Sequence, residues 1–344
     1  MTVQQANEIG GVGTIAALGV FDGVHLGHLA LFSEAAAFRA ETGLPVVAMT
    51  FHPHPRTLTG QPNGYARLLT PPAEKAALLQ DAGADYLLSV PFTRELASTP
   101  PLQFAREFLA AKLNARRVVC GFNFAFGHRG AGTPDDLVRW GSDLGYSVSV
   151  VPPYLAGGEA VSSTRVRTAL AAGDVDGAAR CLGRPYCLHG RVAAGDGRGH
   201  SIGIPTSNVD VPPDKLVPGN GVYAALARVM ASPCEGGAAG TSQGIQEYPA
   251  VVNVGVRPTF GGEGVRVEAH IPGFEGNLYG RVMQVFFIAR LRDELKFPDA
   301  VSLRTQVEED VRRAAGTARK AALCKASSFT IPGAYDRMLA SSLP

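Results

Sequence analysis

Short apolar runs alternate with stretches of helical spacing along the first 150 or so residues. Residues 14–21 are apolar and bounded by glycines, which predicts a buried strand. Residues 44–51, 85–90, 117–120 and 147–151 repeat that pattern, and 29 onward, 72–82, 101–113 and 134–144 predict the helices between them. This alternation argues for a doubly wound parallel α/β sheet, Rossmann-like in layout. The pattern changes after Pro185. The segments CLHGRVAAG, GVYAALARV, YPAVVNVGV, VRVEAHI and RVMQVFFIARL are short, rich in β-branched residues and punctuated by glycine or proline. They predict an antiparallel β-barrel, followed by a terminal helix over 299–314. The expected division is 1–185, 186–315 and a tail of 316–344, with a flexible insertion over 231–247.

Composition narrows the class without choosing a function. At 344 residues the chain exceeds one ordinary core, which agrees with two domains. A formal charge of +2 gives no reason to expect nucleic acid or an acidic membrane as partner. Five cysteines, an odd number without a CxxC pair, suggest neither a disulfide framework nor a zinc site. A reducing cytosol fits that usage. The first basic residue is Arg39, so the start lacks the charged region of a signal peptide. No apolar run approaches the ~20 residues of a membrane helix. The expectation is a soluble cytoplasmic protein.

Candidate chemistry begins at the first strand's end, where Gly19, Phe21, Asp22 and Gly23 lead to His25 and His28. A strand, a glycine turn and a helix make a ready phosphate site, because the helix start offers unpaired N–H groups. Histidines three apart there point the same way and could stabilise charge on a phosphate under attack. Read alone, the pair serves equally well as a turn residue and a helix cap. His52 and His54 fall in a proline-stiffened turn where a strand ends, as ligand-binding loops do in open α/β sheets; without the flanking motifs they read instead as surface histidines of a proline-fixed loop. Asn123 sits among three alternating phenylalanines, which read as core, while the asparagine reads as a ligand contact. Ser163, Thr164 and Arg167 crowd another helix start, where caps and a polyphosphate cradle are compatible readings.

The second half holds fewer signals. Gly197 and Gly199 belong to a glycine-rich stretch without a strand-turn-helix context. Thr206 and Asn208, two apart in an extended segment, share a side, and their oxygens suit Mg2+ carrying nucleotide phosphates. An edge strand with outward polar positions explains them as well. In VRVEAHI the positions Arg266, Glu268 and His270 share the polar face. If that face borders a nucleotide, Glu268 can take a proton from an attacking hydroxyl.

Taken together, GVFDGVHLGH, TFHPHP, GFNFAFG and SSTRVR, then GRGHSIGIPTSN, NVGVRPTFGG, VEAHIPGFEGNLYG and LRDELKF, resemble the bacterial bifunctional riboflavin kinase/FAD synthetases. The resemblance spans residues 14–314. It implies a nucleotidylyltransferase domain that joins FMN to AMP, and a riboflavin kinase barrel that phosphorylates riboflavin. The substrates implied are riboflavin, FMN and ATP, with Mg2+ as the ion. His25, His28 and Glu268 take the catalytic roles by this resemblance. Gly19, Phe21, Asp22, Gly23, Asn123, Ser163, Thr164 and Arg167 bind ATP in the first half. Gly197, Gly199, Thr206 and Asn208 do so in the second, Thr206 and Asn208 holding the metal. His52, His54 and Arg292 are assigned to the flavin. Departures from the family pattern are Ala160, His200, Ser207 and Pro272. Retention of one activity only, or flavin binding without turnover, are the alternatives.

Overall fold

The computed structural model describes residues 11–58, 67–193, 203–230, 245–259, 262–323 and 333–340. The chain divides into two compact units, Met1–Ser163 and Thr164–Pro344. In the first, β1 (Thr14–Leu18), α1 (Leu26–Thr42), β2 (Val46–His52), α2 (Pro72–Asp81) and β3 (Tyr86–Pro91) follow in order. Then come α3 (Pro101–Phe104, continued by a π-helical stretch, Ala105–Lys112), β4 (Ala115–Gly121), α4 (Pro134–Leu144) and β5 (Ser147–Val151). The five strands are parallel in the order β3-β2-β1-β4-β5. Every residue of β1 is buried, as a central strand covered on both faces requires. The order reverses between β1 and β4, and in open α/β sheets the crevice at the carboxyl ends beside such a reversal receives the ligand.

Two boundaries differ from expectation for reasons that bear on the site. The first strand ends at Leu18, because Phe21 takes a left-handed conformation (φ 53°) that no strand continues. The first helix starts at Leu26, three residues early, because His25 itself caps it. The phenylalanines after β4 also part company. Phe126 is buried against Phe104, but Phe122 is 49% exposed. The chain turns there, Phe124 N–H donating to the Gly121 carbonyl at 3.0 Å, so strand alternation does not apply.

A small hairpin of β6 (Leu155–Ala156) and β7 (Glu159–Ala160) closes the first unit before α5 (Ser163–Ala171) and α6 (Val175–Leu182). Barrel strands follow as β8 (Tyr186–Ala193), β9 (Ser207–Asp210), β10 (Gly221–Met230), β11 (Ile245–Thr259), β12 (Gly262–His270) and β13 (Val282–Arg292). They close in the order β10-β11-β12-β9-β8-β13, all neighbours antiparallel, and closure removes sheet edges. The compositional change at Tyr186 marks the first barrel strand, while α6 packs on β8 and β13 and so groups with the barrel. Residues 231–244 of the expected insertion lie outside the described residues, and 245–247 open β11.

The terminal helix α7 (Ala300–Leu323) packs on β10, β11 and β13. The tail adds a further helix, α8 (Gly333–Ala340), that its sequence did not reveal. Tyr335 is 1% exposed and meets Phe286 edge-on at 5.2 Å. The buried Gln284 amide donates to the Tyr335 carbonyl (2.7 Å), and Arg228 pairs with Asp336 (2.8 Å). Among the described residues no helix is long and apolar enough to cross a membrane. Tyr335→Ala should lower the unfolding free energy of the barrel by about 3 kcal/mol. Denaturant titration checks this; an unchanged midpoint would show that α8 is not part of the packed unit.

Candidate active sites

The turn after β1 is built from strained backbone and held by side chains from far along the chain. Phe21 and Val24 both have positive φ (53° and 41°), a conformation costing roughly 1–3 kcal/mol each. The Phe21 ring is fully buried, and a Cβ at Gly19 would come within 2.8 Å of it, so only glycine lets the ring fold back. The buried Asp22 carboxylate accepts the N–H groups of Leu69 (2.9 Å) and Thr70 (3.4 Å). Thr70 Oγ1 accepts from Gly23 N–H at 3.0 Å. Two donors, Thr50 Oγ1 and Lys75 Nζ, both meet the Val20 carbonyl at 2.9 Å. Burial holds the Lys75 ammonium below the usual lysine range, and the Asp22 carboxylate partly offsets this.

His25 and His28 sit on this platform. His25 is the N-cap of α1, and each histidine's Nδ1 accepts the other's backbone N–H at 3.3 Å. The rings are stacked, 3.6 Å between centroids and 13° apart, so the two do face one way. With Nδ1 accepting, the proton of each neutral ring resides on Nε2, which makes both rings donors. Phe21 supports His28 edge-on at 5.2 Å.

The other expected residues of this unit separate into neighbours of the turn and bystanders. Ser163 Oγ donates to the Asp22 carbonyl at 2.8 Å, tethering the start of α5 to the turn. Thr164 and Arg167 follow on that helix, three residues apart on one face, in the segment grouped with the second unit. Asn123 is exposed just past β4, on the carboxyl edge beside β1. His52 ends β2 on the same edge and is exposed. His54 is buried, its Nδ1 accepting Arg56 N–H at 3.2 Å, so this ring closes its own turn.

In the barrel, strand pairing assembles the second constellation. Asn208 on β9 lies opposite Glu268 on β12. Thr206 Oγ1 donates to Glu268 Oε1 at 3.4 Å. Between them lies a group that the sequence placed only on the polar face of an alternating strand. Arg266 Nε donates to Asn208 Oδ1 (2.9 Å), and its Nη2 meets Glu268 Oε1 (2.8 Å). The Thr206 hydroxyl and the Asn208 amide oxygen are hard donors of the kind Mg2+ takes, so the donor set fits that ion. His270 Nδ1 lies 2.8 Å from the Pro205 carbonyl, beside a cleft of about 550 Å3 lined by Ile204, Ile271, Phe274 and Arg304.

Gly197 and Gly199 lie outside the described residues. Arg292 grips the fully buried Asp310 carboxylate through Nε and Nη2 (2.8–3.2 Å) and so fastens β13 to α7. Sequence reasoning missed Thr50, Thr70, Lys75 and Arg266. The first three act on the turn from tens of residues away and belong to no local motif. Arg266 was visible only as a member of an alternating face.

Comparison with known proteins places these two constellations in separate family patterns. The FAD synthetase pattern matches residues 11–165, and the riboflavin kinase pattern matches residues 182–317. A bifunctional riboflavin kinase/FMN adenylyltransferase from Bacillus subtilis (strain 168) is 35% identical, the match covering 88% of this chain and 91% of that one. The chain belongs to the bifunctional riboflavin kinase/FMN adenylyltransferase family. The protein of the same name from Escherichia coli (strain K12) is 34% identical, over 87% of this chain and 90% of that one. A crystal structure described as a macrolide-efflux protein from Streptococcus pneumoniae shares the fold with a TM-score of 0.80. It is 30% identical and covers 92% of this chain and 98% of its own.

For this family member the clamp on the turn can be tested apart from activity. Thr70→Val keeps the shape but removes the acceptor of Gly23 N–H, and should cost about 2 kcal/mol of stability. Thr70→Ser should cost less than half as much. Equal losses in the two variants, measured by denaturant unfolding, would show that the hydroxyl is not the clamp.

Proposed function

We propose that this chain makes FAD in two steps at two sites, phosphorylating riboflavin in the barrel and adenylylating FMN at the histidine turn. The observation that carries the reading is the pairing of two unlike constellations on one chain. One is an imidazole pair at a sheet reversal; the other is a carboxylate opposite a metal-type amide oxygen. Each falls within its own family pattern.

In the barrel, Glu268 is the base. It takes the proton of the ribityl 5′-hydroxyl as that oxygen attacks the γ-phosphorus of ATP and ADP leaves. Thr206 and Asn208 would hold Mg2+, which supplies charge neutralisation on the phosphate oxygens when bound. Pairing of β9 with β12 sets Asn208 opposite Glu268, which supports this reading. The cleft beside His270 is of a size that suits a flavin ring.

At the turn, an FMN phosphate oxygen attacks the α-phosphorus of ATP and pyrophosphate leaves. The nucleophile is already an anion, so the protein need not remove a proton. His25 and His28 act by donating from Nε2 to oxygens on which charge builds, together with the N–H groups at the start of α1. Gly19, Phe21, Asp22 and Gly23 shape the turn, Ser163 adds its hydroxyl beside Asp22, and Asn123 steadies the nucleotide; Thr164 and Arg167 are assigned to ATP by the family resemblance. His52, exposed on the same edge, is the better placed of the two flavin candidates, since His54 is engaged in its own loop. A cytosolic location agrees with the cysteine usage and with the ATP both steps consume.

His28→Ala should abolish FAD formation from FMN and ATP while sparing FMN formation from riboflavin, and Glu268→Gln should do the reverse. Chromatography of products from MgATP with riboflavin or FMN reads both. Loss of both activities in either folded variant would contradict two separate sites.

A further inference from the structure

The guanidinium of Arg266 bridges two of the side-chain oxygens assigned to the kinase site. Its Nε and Nη2 reach Asn208 Oδ1 and Glu268 Oε1 at 2.9 and 2.8 Å, on neighbouring strands held in register by β9–β12 pairing. Arg266 and Glu268 are two apart on β12 and so share a face. Thr206 Oγ1 donates to the same Glu268 oxygen. Backbone pairing sets the spacing of the two strands, whereas the bridging cation is the end of a long side chain that is 28% exposed.

One consequence follows from hydrogen-bond capacity: a divalent ion entering at Asn208 must compete with a guanidinium already bonded there. We propose that Arg266 is a built-in stand-in for the metal. It holds the Asn208 and Glu268 side chains in place while Mg-nucleotide is absent, and it swings out when Mg-nucleotide binds. Arg266 is thus a positioning residue whose departure accompanies nucleotide arrival. The proposal rests on the assignment of Thr206, Asn208 and Glu268 to the kinase site.

The full chain serves for the test, with ADP as probe and calorimetry at graded Mg2+ as the readout, so no turnover is involved. Asn208→Ala should remove one Mg2+-dependent component of ADP binding, which identifies the barrel site. In Arg266→Met the half-saturating Mg2+ of that component should fall at least threefold, because a competitor is gone. Arg266→Lys should fall between the two, since one ammonium cannot bridge both oxygens. A merely structural arginine predicts the opposite direction, weaker binding in both variants. If Asn208→Ala removes the component but Arg266→Met leaves its Mg2+ requirement unchanged or raised, the stand-in role is wrong and the site assignment survives. If Asn208→Ala removes nothing, both fall. Thermal melting identifies a variant that has lost its fold, and Arg266→Lys then decides: a Mg2+ requirement no lower than that of the unaltered chain overturns the proposal.

Discussion

A turn that binds phosphate has to present its N–H groups outward while its own backbone sits in conformations a free chain avoids. Here two non-glycine residues, Phe21 and Val24, are held left-handed within four positions of each other. Their strain is offset by hydrogen bonds from distant parts of the chain: the Asp22 carboxylate on the Leu69 and Thr70 amides, and the Thr50 hydroxyl and Lys75 ammonium on the Val20 carbonyl. Everything proposed for the first half depends on that clamp. Without it His25 would not cap α1, the rings would not stack, and the tether from Ser163 to the Asp22 carbonyl would have no fixed target.

The barrel solves the same problem with another device. A paired strand needs no strained turn, because cross-strand register alone sets the separation of Asn208 and Glu268. The cost of this arrangement is electrostatic. Acceptor oxygens brought together and partly buried need a positive partner at all times, and Arg266 supplies one. Arg292 shows the contrasting case, an arginine wholly committed to the buried Asp310 and to fastening α7. The two arginines look alike in sequence, and only their partners distinguish them: Asn208 and Glu268 for Arg266, the buried Asp310 for Arg292.

What could be read from the chain beforehand follows from the range of the interactions involved. The strand and helix alternation, the barrel after Pro185 and the histidine pair all arise from neighbours in sequence, through hydrophobic period and capping. They emerged with small errors, such as the strand that stops at Leu18 because Phe21 turns left-handed. Phe122 was misjudged as core because a turn at Gly121 breaks the alternation on which the reading relied. Lys75, Thr70 and Thr50 were invisible for a different reason: each acts through hydrogen bonds to residues tens of positions away. The helix Gly333–Ala340 was missed likewise, since its anchors, Gln284 and Arg228, lie on the barrel and not in the tail.

The account stands or falls on there being two independent triphosphate pockets on one chain. Calorimetric titration with a non-hydrolysable ATP analogue and Mg2+ measures this directly. Two equivalents per chain are expected, His28→Ala and Asn208→Ala each removing a different one. A single equivalent in the unaltered chain, or the loss of both through either substitution, would contradict it.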